Sequence, residues 1–174
     1  MNAHIPRRTA RGFTLVEMLV VLGIIAILSG LVLTALGAAR KQARIRETEA
    51  TLKIIEAALE QYQADFQDYP PSENDPDGIK GAESLYKCLN TDKKEGPYIK
   101  STELKVCDSN KNDHLEFADA FMRPIRYFHH HDYNSKAPNK RTYRLISAGP
   151  DGNYDEGRRE SDDIVNWNKA RPDQ

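Results

Sequence analysis

From Met18 to Ala39 the chain carries 22 consecutive residues without a charge, although charged residues make up 29% of the whole. A helix of that length rises about 1.5 Å per residue and can cross the ~30 Å hydrocarbon core of a bilayer. Leu, Ile, Val and Ala dominate it, so the spacing predicts a continuous helix. Twelve residues precede Phe13, and they carry Arg7, Arg8 and Arg11. Those arginines favour a cytoplasmic N-terminus, but Arg40, Lys41, Arg44 and Arg46 follow the run, so charge counting alone leaves orientation open. A removable secretory signal is the competing reading. The run is longer than a usual signal core, and no small-x-small cleavage site is followed by a non-helical start.

The charge that breaks the pattern is Glu17. A carboxylate at the start of a membrane helix is costly to bury and functional by default. It needs a cation, and only the leader arginines lie nearby. Removal of the leader after Gly12 would create an α-amino group on Phe13. In a filament, one subunit's amine could neutralise the next subunit's Glu17 and fix the axial register. The plain alternative is a glutamate that snorkels to the interface.

Arg11-Gly12-Phe13-Thr14-Leu15-Val16-Glu17 resembles the class III signal of type IV pilins and type II secretion pseudopilins. Gly12, Phe13 and Glu17 match that signal position by position. The resemblance implies cleavage after Gly12 by a prepilin peptidase, methylation of Phe13, and assembly through Glu17. Gly23, Gly30 and Gly37 recur every seven residues and fall on roughly one helix face. They read either as a close-packing face or as chance in a helix that can melt locally.

Beyond Ala39 the pattern turns amphipathic. Ile45, Leu52, Ile55, Leu59, Tyr62 and Phe66 follow three-and-four spacing, which predicts one helix from Thr14 to about Asp68, ended by Pro70 and Pro71. The expected divisions are a leader (1–12), a membrane or filament-core helix (13–39), an amphipathic helix (40–69) and a globular domain (70–174). A short helix is expected near Glu83–Leu89. Strands are expected over Ile125–His129 and Thr142–Ser147, joined through a turn at Pro138 and Asn139. The fold class is α+β: a long helix packed on a small antiparallel sheet with long loops.

Within the globular part, Gln61–Pro70 and Gly96-Pro97-Tyr98-Ile99 are similar to segments of major pseudopilins of type II secretion. Asp119-Ala-Phe-Met-Arg-Pro124 resembles their Asp-Pro-Trp-Gly-x-Pro stretch, with Phe121 in place of Trp and Met122 in place of Gly. Ser147–Gly152 with Asp162–Trp167 resembles their C-terminal calcium loop. The resemblance implies calcium ligands at Asp151, Asp162 and Asp163, assisted by Ser161 and the Ala148 carbonyl. Calcium takes six to eight oxygens, and two separated acidic clusters can supply them. A solvated acidic loop, partly offset by Arg158 and Arg159, is the alternative.

A weaker second calcium candidate is Asp108, Asn110, Asn112, Glu116 and Asp119, whose oxygens fall at EF-hand-like spacing. Asp113 stands there where Gly makes the sharp turn, and Asp119 stands for the bidentate Glu. Cys88 and Cys107 are too few for a disulfide scaffold, but in an exported domain they can form one bridge. His129, His130 and His131 are adjacent. Strand neighbours point to opposite faces, so three imidazoles are not expected to meet on one metal, and with no Cys or carboxylate at ligand spacing a structural or surface role is expected rather than a zinc site. No phosphate loop, Gly-x-Ser-x-Gly or acid–base pair is present, so no enzyme is expected.

Lys plus Arg total 25 and Asp plus Glu 26, which gives no support for a nucleic-acid partner. The implied partners are copies of the chain, prepilin peptidase, minor pseudopilins, the inner-membrane assembly platform and the membrane itself. The implied location is the bacterial inner membrane, with the soluble domain periplasmic. Competing classes are a type IV pilus or minor pseudopilin subunit, a membrane-anchored calcium-binding domain that does not polymerise, and a tethered hydrolase using the histidines.

Overall fold

The computed structural model describes residues 13–73, 75–100, 102–132, 142–158 and 160–167. The leader with Gly12, the Pro138–Asn139 turn and Arg159 lie outside the described residues. The chain divides into two compact units, residues 1–40 and 41–174.

The first unit is the start of α1 (Leu15–Phe66). Its large apolar side chains are exposed, and Leu15, Leu19, Leu22, Ile25, Ile27 and Leu28 are each more than half exposed. An apolar surface of that kind is one that a bilayer or neighbouring helices must cover. A Cβ added at Gly23, Gly30 or Gly37 would meet nothing within 4 Å, so no contact inside this chain requires glycine there. Among the described residues no helix is long and apolar enough to cross a membrane; the side chains of residues 31–35 fall outside that set.

In the second unit, the Lys41–Phe66 part of α1 buries Leu52, Ile55, Ala58 and Leu59. This is the stripe that the spacing predicts, with Ile45 and Tyr62 packed at its margin. Thr48 belongs to the same stripe and is fully buried. Its hydroxyl donates to the Arg44 carbonyl (3.0 Å) and accepts from the Ala120 N–H (3.2 Å). The helix stops before the prolines. Gln67 takes a left-handed φ of 62°, and its N–H returns to the Gln63 carbonyl at 2.8 Å, which is a C-terminal cap of the αL type.

Helix α2 (Ile79–Leu89) is longer than the segment expected near Glu83–Leu89 and buries Gly81, Ala82, Leu85 and Leu89. Gly81 is required: a Cβ there would lie 2.2 Å from the Tyr127 carbonyl oxygen, so the helix can lie directly on the sheet backbone. Strands β1 (Val106–Cys107) and β2 (Glu116–Phe117) pair antiparallel. Strands β3 (Arg126–His129), β4 (Tyr143–Ser147) and β5 (Ile164–Val165) form a second antiparallel sheet with β4 central. Tyr127 faces Leu145 and His129 faces Tyr143 across the first pair. Leu52, Ile55 and Leu59 from α1 join Leu85 and Leu89 from α2 and Phe117, Tyr127, Tyr143, Leu145 and Ile164 from the strands in one core. The architecture is therefore the expected α+β arrangement. The Tyr127 hydroxyl donates to the Pro70 carbonyl (2.6 Å) and the His129 N–H to Ser72 Oγ (2.7 Å), tying the segment after α1 to β3.

Candidate functional site

Glu17 sits in a local arrangement that the charge argument missed. Its carboxylate accepts from the Thr14 N–H (2.8 Å) and the Thr14 hydroxyl (2.9 Å), while the Glu17 N–H points back to Thr14 Oγ1 (3.3 Å). This is a capping box, in which a Thr and a Glu three residues on satisfy the free donors of a helix start. The signal was present in the sequence as Thr-x-x-Glu before an apolar run. The carboxylate is thus held at Thr14, the residue after Phe13, which cleavage after Gly12 would make the new terminus.

The C-terminal acidic loop is folded on itself by its own carboxylates. Gly149 has a φ of 58°, and a Cβ there would lie 2.1 Å from the Asp162 carbonyl oxygen, so the two arms are pressed together at a point only glycine can occupy. Asp162 Oδ2 accepts from the Asp151 N–H at 2.9 Å. Asp151 accepts from both nitrogens of Asn153 (2.8 and 3.2 Å). Asp163, buried, accepts through Oδ2 from the N–H groups of Asp155 (3.0 Å) and Gly157 (2.8 Å). The Ala148 carbonyl accepts from the Gly152 N–H at 3.2 Å, and Ser161 Oγ donates to the Arg158 carbonyl at 2.8 Å. Asp162 Oδ1 is buried with no hydrogen-bond partner. Burial pushes the Asp162 carboxyl above the usual carboxylate range, and the Asp151 charge adds to that. Asp151, Asp162 and Asp163 do not gather their carboxylates within 4.8 Å of one another, but the donors are all oxygen and one buried carboxylate oxygen is unmatched, which is the chemistry of a hard divalent cation such as calcium.

Arg123 is the member of this loop that sequence reasoning missed. It donates from Nη1 to the Gly149 carbonyl at 2.7 Å, and a Cβ at Gly152 would run into its guanidinium carbon at 2.4 Å. Twenty-six residues separate Arg123 from Gly149, so no local spacing could have shown it. Arg123 is placed by the turn before it. There Asp119 Oδ1 accepts from the N–H groups of Phe121 (2.8 Å) and Arg123 (3.0 Å). Met122 takes a left-handed φ of 63° at the position where the resembling stretch has Gly, which explains why that stretch favours glycine.

The donors of the 108–119 loop turn in different directions. Asp119 is fully buried, and its Oδ2 accepts from the Ser147 hydroxyl at 2.7 Å. Glu116 is also fully buried and accepts from the N–H and hydroxyl of Ser109 (3.0 and 3.2 Å). Asp108 accepts from the N–H groups of Asn112 (3.2 Å) and Asp113 (3.1 Å). The side-chain amides of Asn110 and Asn112 both donate to Glu83 (2.8 and 2.9 Å). The structure spends these groups on strand ends and turns and does not gather them round one point. Cys88 and Cys107 are free and half-buried. The Cys107 thiol lies 3.7 Å from Glu116 Oε2, and burial, then the Glu116 charge, push it up to about 12.

The histidines depart from expectation. Strand β3 ends at His129 and residues His130–Asp132 form a 3₁₀ turn, so strand alternation no longer separates the side chains. The rings of His129, His130 and His131 lie 3.9 to 4.9 Å apart, centre to centre.

Comparison with known proteins places this geometry. Residues 7–33 match the prokaryotic N-terminal methylation motif. Residues 35–167 match type II secretion system protein G. The chain belongs to the type II secretion system protein G family. The core protein G of Escherichia coli K12 is 30% identical over 161 residues, covering 92% of this chain and 93% of that protein. The core protein G of Pseudomonas aeruginosa is 31% identical over 163 residues, covering 92% and 97%. The type IV wide pilus major component of Thermus thermophilus is 44% identical over 62 residues, covering 36% of this chain and 47% of that protein. No solved structure matches.

The family is one of structural pseudopilins, and its match runs through the acidic loop to Trp167. The methylation motif includes Gly12, Phe13 and Glu17. The capping box, the Arg123 contact and the histidine cluster are read from this chain's own geometry.

Proposed function

We propose that this chain is the major, filament-forming subunit of a type II secretion pseudopilus. The observation that carries the reading is the protein G match over residues 35–167, joined directly to the methylation motif at 7–33. In this reading prepilin peptidase cuts after Gly12 and Phe13 is methylated. The 13–39 helix holds the subunit in the inner membrane with its N-terminus cytoplasmic and its soluble domain periplasmic. Copies then leave the bilayer and pack through their apolar helices, with Glu17 of one subunit facing the Phe13 amine of the next. The assembly platform and minor pseudopilins are the partners. A type IV pilus subunit is the second reading; it is favoured by the Thermus likeness, which covers a smaller share of the chain. Mass spectrometry of the chain from a peptidase-competent host should give a mature N-terminus at methylated Phe13. An intact leader would sink the reading.

Calcium is assigned to the loop of Asp151, Asp162, Asp163, Ser161 and the Ala148 carbonyl. The support is the buried, unmatched Asp162 Oδ1 beside a second carboxylate. The ion would neutralise that pair and lock the two arms of the loop. With calcium a hundredfold above its Kd, the stabilisation is about 2.7 kcal/mol, or roughly 10 °C in Tm for a domain of this size. A melting scan of the processed chain with and without chelator should show that shift, and Asp151→Ala should remove most of it. Equal melting in all four samples would leave the loop without an ion.

A further inference from the structure

The histidine turn shares no residue with the Glu17 cap or the acidic loop. Asp68, two residues after α1 ends, reaches it from 61 residues upstream: Asp68 Oδ1 and His129 Nε2 are 3.1 Å apart. One ligand atom from each of Asp68, His129 and His130 lies within 4.8 Å of the others, and among the described residues this is the one group of three or more metal-binding side chains so gathered. His129 is buried and its backbone is fixed by Ser72. His130 Nδ1 is buried with no hydrogen-bond partner, which is the state of a lone pair or N–H that lacks its natural neighbour.

We infer that Asp68, His129 and His130 form a zinc-binding site that clasps the end of α1 to the end of β3. The donor set selects the metal class. Two imidazole nitrogens and one carboxylate oxygen suit zinc and its first-row neighbours, while calcium wants six or more oxygens. Zinc bonds to these donors are about 2.0–2.2 Å long, which sets neighbouring ligand atoms about 3.3 Å apart in a tetrahedron. Closing from within 4.8 Å asks each side chain for a movement of about an ångström. Three protein ligands leave one position for water. On loading, the His129 Nε2 lone pair turns from Asp68 Oδ1 to the ion; a neutral ring bound through Nε2 carries its proton on Nδ1, so the 3.3 Å contact from the His131 N–H to Nδ1 gives way.

The site does not depend on the pseudopilin reading, and its test uses a different readout. The mature full-length chain in detergent micelles is titrated with zinc by calorimetry, with millimolar calcium present to occupy carboxylate-only sites. Cobalt replaces zinc in a parallel sample to report coordination by its visible absorption. One zinc per chain with micromolar or tighter Kd is expected, together with the intense bands of four-coordinate cobalt. Asp68→Asn, at an exposed side chain, should weaken zinc at least about tenfold, and His130→Ala likewise. His114→Ala, in the 108–119 loop, should bind zinc as the parent does. Absence of binding below millimolar zinc, or an Asp68→Asn variant that binds as the parent does, overturns the site. Should His130→Ala fail to fold, Asp68→Asn still decides.

Discussion

Glu17→Gln is expected to leave a chain that is processed and accumulates normally but forms no pseudopilus. The capping box accepts Gln as well as Glu at the third helical position, so the helix start keeps the contacts now made with Thr14. The variant lacks only the negative charge. In the proposed filament the Phe13 amine would then be buried without a partner, which costs about 3–5 kcal/mol at each subunit contact. That is a loss of roughly a hundredfold or more in each association step. Glu17→Ala would confound the result, because it also removes the cap, worth about 0.5–2 kcal/mol of helix stability. The measurement is the yield of sheared filaments against total subunit, with the mature N-terminus checked by mass. Filaments at the parental level from Glu17→Gln would show that the carboxylate acts only as a cap.

The second large effect is expected at Asp119. Asp119→Ala should destabilise the domain by about 3–5 kcal/mol, measured by denaturant unfolding. Three donors lose their acceptor at once: the N–H groups of Phe121 and Arg123 and the Ser147 hydroxyl. All are held at a fully buried carboxylate. The loss should be the same in excess calcium and in chelator, because the role is internal. A loss that disappears in chelator would instead restore the 108–119 loop as an ion site.

The long helix, its buried stripe and the β3–β4 pair were legible because each rests on a repeated period: 3.6 residues for Leu52, Ile55 and Leu59, and two for the strands. Strands β1, β2 and β5 are two residues long, too short for any period to show. The helix end lies within two residues of the expected place, but a left-handed Gln67 stops α1 before Pro70 can. Glu17 was legible as special but not as a cap, since the charge argument overlooked the Thr14 hydroxyl three residues away. Asp119 and Glu116 carry the right atoms for metal binding, and only their partners in space reveal structural work. The histidines failed the strand argument because β3 ends at His129, two residues short of His131, and Asp68 arrives from a distant part of the chain.

Arg123 gives the acidic loop a counterion that cannot diffuse away. Its guanidinium lies against Gly152 and the Gly149 carbonyl and adds to the pull that keeps Asp151 ionised, behind the larger effect of the Asn153 N–H. A loop neutralised only by a dissolved ion would be ordered or disordered according to the surrounding calcium level. This one carries part of its neutralising charge on its own backbone scaffold. The domain is therefore built to keep the loop's outline without a dissolved ion; in the proposed calcium reading the ion would only complete the tightening of the Asp162 arm. In that reading a subunit could wait in a calcium-poor setting and still present a nearly finished surface to its neighbours.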